Sequence, residues 1–476
     1  MKTKQLIISY LLVSILSITL ASCKKSFLDL TPQGIVPVTT YYNTEVDIRT
    51  ALNGAYTSLR PIYNFQWAYC EIPSDNTQSY GDSDANIGEL DKFTWTSASG
   101  TLQNVWNRHY ATIAYCNIVL GHVATPPMTQ AARDGYIGQA KFIRALMYFN
   151  LVRMFGGVPL VLTEITTEQQ AYTYERSPVA DVYAQMEKDL AEAAALLPAS
   201  YGGTDMGRAT SIAARGLLGK VQLFQHKFQQ AEPILASVVA SVSLPLLSYD
   251  QVFGLSKDNN KEFIFSVQYL GGGLGEGNLF ASQFIPVPAT GIISVSGVSF
   301  NLGTPDLYNA FEPGDNRLNY IGTFTAGTIA YYYCKKFVYP TVPSGNEGDN
   351  DWPILRYSDA ILMYAEALNE NGKTADALTQ LNIIRNRSSL PSKNGLSQAD
   401  ARIAIRNERR VELCFEGERW FDLIRYGTFV QVMQAYKDKY TPPSSSFANV
   451  LPTLNLFPIP RRETTLNSKL TQNPGY

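Results

Sequence analysis

Residues 139–155 read QAKFIRALMYFNLVRMF, and their spacing decides what kind of scaffold this chain builds. Phe142, Ala145, Leu146, Phe149 and Val152 recur at steps of three and four, which a 3.6-residue turn gathers onto one face. Gly156-Gly157 stop that helix, and Val158-Pro159-Leu160-Val161 runs on extended. Ser177-Pro178 opens a second helix: Ser caps, and Pro sits where its missing N–H costs nothing. It runs to about Leu197. Thr210-Ser211 open a third, with Ala213, Leu217, Val221 and Phe224 on one face, and a turn near Lys227 leads to a fourth at 229–240. The pattern returns at 356–371, where Ala360, Ile361, Tyr364, Ala365 and Leu368 share a face. Helices at 374–387, 398–416 and 419–436 come next, the second opened by the S-x-x-D variant of a capping box at Ser397 and Asp400.

These helices fall into about four antiparallel pairs: 137–155 with 178–197, 210–226 with 229–240, 356–371 with 374–387, and 398–416 with 419–436. Small residues (Ala213, Gly216, Gly219; Ala365, Ala367) stand where helices would touch. The expected class is mainly α, a tetratricopeptide-like scaffold of helical pairs. After about residue 250 glycine and proline become frequent and short β-rich pieces appear, such as Phe263–Val267. The stretch 250–352 therefore reads as an irregular, loop-rich half with short strands. The expected organisation is 1–22 signal segment, 23–240 N-terminal part, and 241–476 C-terminal part. The last contains the irregular insert (250–352) and the helical pairs of 356–436.

The chain has 476 residues, 45% hydrophobic and 17% charged, which is a folded composition. A net charge of −2 supplies no field for nucleic acid. With three histidines (His109, His122, His226), a His-rich metal centre is all but excluded. Lys2 and Lys4 precede an apolar run, Leu6–Leu20, which ends in Leu20-Ala21-Ser22-Cys23. This resembles a bacterial lipobox: cleavage before Cys23, fatty-acyl (palmitate-type) modification of that cysteine, and anchorage to a membrane. Cys70, Cys116, Cys334 and Cys414 lie far apart and read as buried single thiols.

Several constellations could carry chemistry. Glu408, Glu412 and Glu416 repeat every four residues, as do Arg402, Arg406 and Arg410. Like charges at that spacing repel, so each column should face opposite charge on another element; Arg385, Arg387, Arg419 and Arg425 are candidates. A carboxylate pair for glycoside cleavage is the other reading, but these charges sit on a helix face rather than in a loop-lined cleft. Asp82, Asp84 and Asn86 open with calcium-loop spacing, which then fails at Ile87 and Phe93. They and the Asp349/Asp351 pair read as solvated acidic loops. No cofactor is expected, and calcium is the one metal left open. Gly271–Gly277 is a flexible loop without the lysine of a phosphate loop. Aromatics are the informative chemistry, because sugar rings stack their C–H faces on Trp and Tyr while short polar groups bond the hydroxyls. Trp67 and Tyr80, beside Asp75 and Asn76, have that mixture in an expected loop. Phe280, Phe284, Tyr331, Tyr332 and Trp352 would supply a second wall. Trp106, Tyr148, Tyr364 and Trp420 lie in helical stripes and read as core.

The lipobox resemblance is joined by FLDLTPQG (27–34), NGAYTSL (53–59), AKFIRALMYFNLVRMFGGVPLV (140–161) and RYSDAILMYAEALNENG (356–372). RNERRVELCFEGERWFDLIRYG (406–427) and LFPIPRRETTLNSKLTQNPGY (456–476) extend the match. Together these resemble the SusD/RagB family, nutrient-binding outer-membrane lipoproteins of Bacteroidetes. The resemblance implies a tetratricopeptide scaffold with an irregular ligand-binding half, docked as a lid on a SusC-like TonB-dependent transporter barrel. It implies glycan or other nutrient binding without catalysis, at the cell surface, with Asp75 and Asn76 bordering the ligand. The expected ligand contacts are Trp67, Asp75, Asn76, Tyr80, Tyr331 and Trp352, and the ligand class is an oligosaccharide or polysaccharide. A peptide or other non-sugar nutrient stays open, since tryptophans do not cluster. A glycoside hydrolase and a protein-binding helical adaptor are rivals of another class.

Overall fold

Thr44 starts the first helix with a full capping box: its hydroxyl accepts from Asp47 N (3.2 Å) while the Asp47 carboxylate accepts from Thr44 N (3.0 Å). In this computed structural model the described residues are 41–80, 84–241, 244–254, 257–287, 289, 291–294, 296–338, 347–440 and 450–476. Cys23, the 1–22 segment and FLDLTPQG lie outside them. Seven long helices precede the loop-rich half: α1 (Glu45–Thr57), α2 (Leu59–Cys70), α3 (Gly100–His122), α4 (Gln130–Phe155), α5 (Val179–Leu196), α6 (Ser211–Phe224) and α7 (Phe228–Val239). Beyond it come α8 (Tyr357–Glu370), α9 (Thr374–Arg387), α10 (Gln398–Glu412), α11 (Arg419–Arg425), α12 (Phe429–Lys439) and α13 (Arg461–Leu466). No helix among the described residues is long and apolar enough to cross a membrane.

Packing pairs α1 with α3, α4 with α5, α6 with α7 and α8 with α9, and contacts α3–α4, α5–α6 and α7–α8 join the pairs into one stack. Gly219 lets α6 and α7 meet: a Cβ there would fall 2.6 Å from Leu235 Cδ2. One expected pair is corrected. Residues 419–436 do not form a single helix against α10, because the chain turns at Gly427 (φ +68°) and divides into α11 and α12. Helix α10 packs instead on α8 and α9, and α11 on α2 and α12. The pair α1/α3 takes the fourth place; its long connection, 58–99, which includes α2, hid it from the sequence pattern.

Two antiparallel sheets organise the loop-rich half. One has strand order β1-β3-β5-β4 from β1 (Thr77–Gln78), β3 (Leu302–Gly303), β4 (Ile321–Ala326) and β5 (Ile329–Cys334). The other pairs β2 (Phe263–Val267) with β6 (Trp352–Arg356). Gly322 sits opposite Tyr333 on the β4–β5 hairpin; a Cβ there would collide with the Tyr333 ring, so the ring lies across the glycine. All four described cysteines are free and buried.

The Glu column of α10 is the joint between the halves. Glu408 binds Arg385 (2.9 Å) and Arg317 (2.6 Å). Glu412 binds Arg387 (2.5 Å), Arg317 (3.1 Å) and Arg356 (3.2 Å), and Glu416, just past the helix end, binds Arg356 (2.7 Å) and Lys336 (2.6 Å). Arg317, Lys336 and Arg356 come from the loop-rich half or its edge, so these ion pairs tie it to the helical frame. Burial alone would raise the Glu412 carboxyl; Arg387, Arg356, Arg317 and Lys336 outweigh it and hold the group well below the usual carboxylate range. The lattice expected of the Glu column is thus present with two changes of partner. Arg425 pairs with Glu366 (2.5 Å) and Asp422 (2.8 Å), and Arg419 with Asp75. In the Arg column Arg402 pairs with Glu370 and Arg410 with Asp75 and Asp306, while Arg406 lies over the Tyr426 ring.

Candidate functional site

The segment leaving α2 carries the Asp75-Asn76 pair, and both side chains point inward. Arg419 grips the two Asp75 oxygens (2.7 and 2.8 Å), Arg410 reaches one of them (2.9 Å), and Arg410 Nε also donates to Asn76 Oδ1 (2.8 Å). Burial would raise the Asp75 carboxyl, but Arg410 and Arg419 bring it down to about 2. On the backbone, Thr304 Oγ1 donates to Asp75 O (2.6 Å) and Thr304 N to Asn76 O (2.9 Å). The expectation that this pair touches ligand is corrected on burial: Asp75 is 2% exposed and Asn76 1%. It is a clamp that fastens β1 to α10, α11 and β3.

The clamp also sets the position of Tyr80, at the end of the same segment. Tyr80 N donates to Ser299 O (2.9 Å), and Tyr80 and Tyr331 come together with ring centroids 4.8 Å apart and planes at 56°. Both rings are half-buried. Gln78 Nε2 donates to the Tyr80 hydroxyl (2.6 Å), and the Tyr436 hydroxyl donates to Gln78 Oε1 (3.4 Å), which orients the Tyr80 ring. Beneath the pair lies a satellite apolar cluster of Ala281, Ile285, Ala289, Ile293, Leu302 and Tyr333, with Ile292 and Phe324 partly buried against it. Phe324 stands directly across the hairpin from Tyr331. Burial, with Tyr331 and Tyr332 nearby, lifts the Tyr80 hydroxyl to about 12, so it stays protonated and can donate. On the opposite face of β5, Tyr332 packs against Tyr308 (4.6 Å, 33°). The arrangement is an aromatic step whose Tyr80 hydroxyl is oriented by the buried Gln78 amide, suited to a flat ligand with C–H faces and hydroxyl groups.

The other expected aromatics are core. Trp67 is fully buried, donating to Asn64 O (2.9 Å) and Gln283 Oε1 (3.1 Å) and meeting Phe284 edge-on at 5.5 Å. Residues 63–69 are part of α2 rather than a loop. Leu59, Ile62, Tyr63, Gln66, Trp67 and Cys70 are all buried, and this three–four spacing is the signal that identifies the helix. Trp352 is 1% exposed, stacked on Phe337 (5.2 Å, 19°) and packed on Phe280 (5.0 Å). Phe280 and Phe284 are fully buried. Gln78 and Phe324 join the site unforeseen. The β4–β5 alternation, with Tyr331 and Tyr333 on one face and Tyr332 on the other, could have placed Phe324.

The acidic loops are held more tightly than their composition suggested. Asp82 lies outside the described residues; Asp84 caps the short helix Ala85–Asp91 through Asn86 N (2.8 Å). The Glu347 carboxylate accepts from Gly273 N and Gly275 N (both 2.9 Å), and Asp349 accepts from Gly271 N (2.5 Å). The glycine-rich loop is therefore strapped to the 347–351 segment by its own amides. Asp351 is buried, not solvated: it accepts from Tyr269 N (3.0 Å) and Ser266 Oγ (3.1 Å), and burial beside Asp258 pushes its carboxyl up to about 8. Among the described residues no group of His, Cys, Asp or Glu is arranged to hold a metal.

The architecture defines a class: a helical-repeat frame carrying a loop-built aromatic surface. A model of the SusD family matches residues 308–476, and a second, described as starch-binding associating with outer membrane, matches residues 26–223. The chain is 25% identical to SusD-like protein P25 of Formosa agariphila across 96% of this chain and 97% of that one. It is 27% identical to a SusD-like protein of Bacteroides ovatus over 87% of this chain and 82% of that one. A solved structure of a laminarin-binding SusD-like protein superposes with TM-score 0.80 at 28% identity, covering 91% of this chain and 100% of that one. The chain belongs to the SusD/RagB family.

Proposed function

We propose that this protein is a non-catalytic, lipid-anchored glycan-binding subunit at the outer-membrane surface, which captures oligosaccharide and passes it to a SusC-like TonB-dependent barrel. The observation that carries the reading is the Tyr80–Tyr331 step: two half-buried rings, with the Tyr80 hydroxyl fixed by the buried Gln78 amide. The outer-membrane description of the second family model and the laminarin-binding neighbour support the ligand class and the location. Cys23 would carry the acyl anchor.

Non-catalysis is supported by where the carboxylates sit. Glycoside cleavage needs two carboxyl groups flanking an open cleft. Glu408, Glu412 and Glu416 are instead consumed by buried Arg and Lys partners, and Glu71 and Asp351 are buried and shifted up to about 8. Affinity electrophoresis of the purified protein through gels containing laminarin, starch or a plant β-mannan tests the reading, with a parallel assay for new reducing ends. Retardation in at least one glycan with no reducing ends is the expected result. Turnover, or free mobility in every glycan, contradicts it.

A further inference from the structure

A separate pocket of about 380 Å³ opens between α3, the loop 159–174 and α13. Its volume lies in the roughly 300–1,000 Å³ range of small-ligand sites. Trp106 and Tyr110 come from α3, Tyr172 and Tyr174 from the loop, and Leu466 and Leu470 from the C-terminal segment. The floor is apolar: Trp106 is buried, while the three tyrosines are half-buried with ring surface left to the opening. The walls are braced from behind. Tyr110 donates to Pro159 O (2.9 Å), Tyr172 to Glu168 Oε1 (2.7 Å), and Asn467 Nδ2 to Tyr174 O (2.7 Å). At the mouth, Gln103 Nε2 bridges Asn107 Oδ1 and Glu463 Oε1 (both 2.8 Å). That leaves Asn107 Nδ2, the second Glu463 oxygen and the Tyr174 hydroxyl without a partner among the described residues.

We propose that this pocket is a second saccharide site, distinct from the Tyr80–Tyr331 step, for a neutral mono- or disaccharide unit. Three tyrosine faces offer stacking to the C–H face of a pyranose. The unpaired amide, carboxylate oxygen and phenol are one donor, one acceptor and one group able to do either, which matches the mixed demands of ring hydroxyls. Charge selects the subclass. Among the described residues Glu463 is the charged side chain of the lining, and Arg176 and Arg462 act on Tyr110 and Tyr172 only from beside it. A uronic acid or sulfated sugar would therefore meet a carboxylate with no cation set directly in the lining. A chain held here and at the step together would gain avidity from linkage rather than from new contacts.

The test uses the full mature chain carrying Tyr80→Ala and Tyr331→Ala, which removes the first site and leaves this pocket intact. Laminaribiose, maltose, a glucuronate-containing disaccharide and a Phe-containing dipeptide are the probes, read by saturation-transfer NMR and by titration of tryptophan emission, to which Trp106 contributes. The expected result is saturable, weak binding of a neutral disaccharide and none of the acidic one. Adding Tyr174→Ala or, separately, Asn107→Ala should weaken that binding roughly tenfold. Asn107 is exposed, so its variant keeps the fold. Absence of saturable neutral-disaccharide binding in the platform-deficient chain overturns the proposal. So does binding that both further substitutions leave unchanged, or preference for the dipeptide or the acidic sugar.

Discussion

The helical frame and the loop-rich half are built by different means. In the frame, backbone bonds close within each helix, and stability comes from apolar stripes and close approaches such as Gly219 against Leu235. In the loop-rich half irregular backbone pairs such as Asn278 with Gly348 and Val298 with Ser282 are supplemented by side-chain carboxylates, which take up amides of the glycine-rich loop. Glu347, Asp349 and Asp351 together accept from Gly271, Gly273, Gly275 and Tyr269. The frame can vary its surface without moving the site. The loops draw part of their shape from these carboxylate bonds, and they carry the half-buried Tyr80–Tyr331 step. The two halves are joined both by apolar contacts, such as Trp67 on Phe284, and by buried charge, through Glu412 and its arginines.

The largest expected break in this comparison is at that joint. Glu412→Gln leaves Arg317, Arg356 and Arg387 short of a buried anion, and removing one member of such a network costs about 3–5 kcal/mol. Thermal melts should show a marked fall in Tm, and an unchanged Tm would contradict the joint. Next comes a frame-only change: Gly219→Val forces α6 from α7 and is expected to cost ~1–3 kcal/mol while glycan affinity of the folded protein stays constant. Denaturant titration and affinity electrophoresis on the same sample separate the two effects.

A third prediction concerns pH and sharpens the contrast between the buried acids. Glu71 is fully buried, bonded to Gly417 N (3.0 Å) through one oxygen with the other unpartnered, and burial raises it from 4.5 to about 8. Asp351 is raised from 3.8 to about 8. Between those limits the folded protein holds protons that the unfolded chain releases, so their contribution is full below about pH 4 and lost as pH rises through 8. Stability should fall from pH 6 to 8.5, and Glu71→Gln with Asp351→Asn should flatten that slope. Asp75, held near 2, works the other way: its contribution is present above 3.8 and disappears as pH falls through 2. A slope the double variant leaves intact would assign the pH dependence elsewhere. The smallest effect is at the step itself, where Tyr331→Ala should weaken glycan binding by ~0.5–1.5 kcal/mol, roughly twofold to tenfold, with Tm nearly unmoved.

Much of the frame is legible in the sequence because helical spacing is local: QAKFIRALMYFNLVRMF, the Thr210 and Ser397 caps and the Glu408–Glu412–Glu416 column all announce their geometry within one or two turns. The α1/α3 pair is not, since its members lie some forty residues apart and only tertiary packing joins them. Site residues are harder for a related reason. An aromatic beside short polar residues reads the same whether the ring faces solvent or core, and Trp67 and Trp352 are settled by Phe284, Phe337 and Phe280, which arrive from distant parts of the chain. The Asp75-Asn76 pair misleads for want of its partners, Arg410 and Arg419, over three hundred residues away. Tyr80 and Tyr331 stand out as tyrosines of loop and hairpin, but that they meet depends on the β1-β3-β5 order, which no local pattern encodes.

Isothermal titration of laminarin oligosaccharides into the wild-type protein and into Tyr80→Ala/Tyr331→Ala tests the central claim most directly. The account predicts saturable binding to the wild type, a several-fold or greater loss in the double variant at matched Tm, and glycan recovered uncleaved. Equal affinity in both proteins, or shortened chains in the recovered glycan, would contradict it.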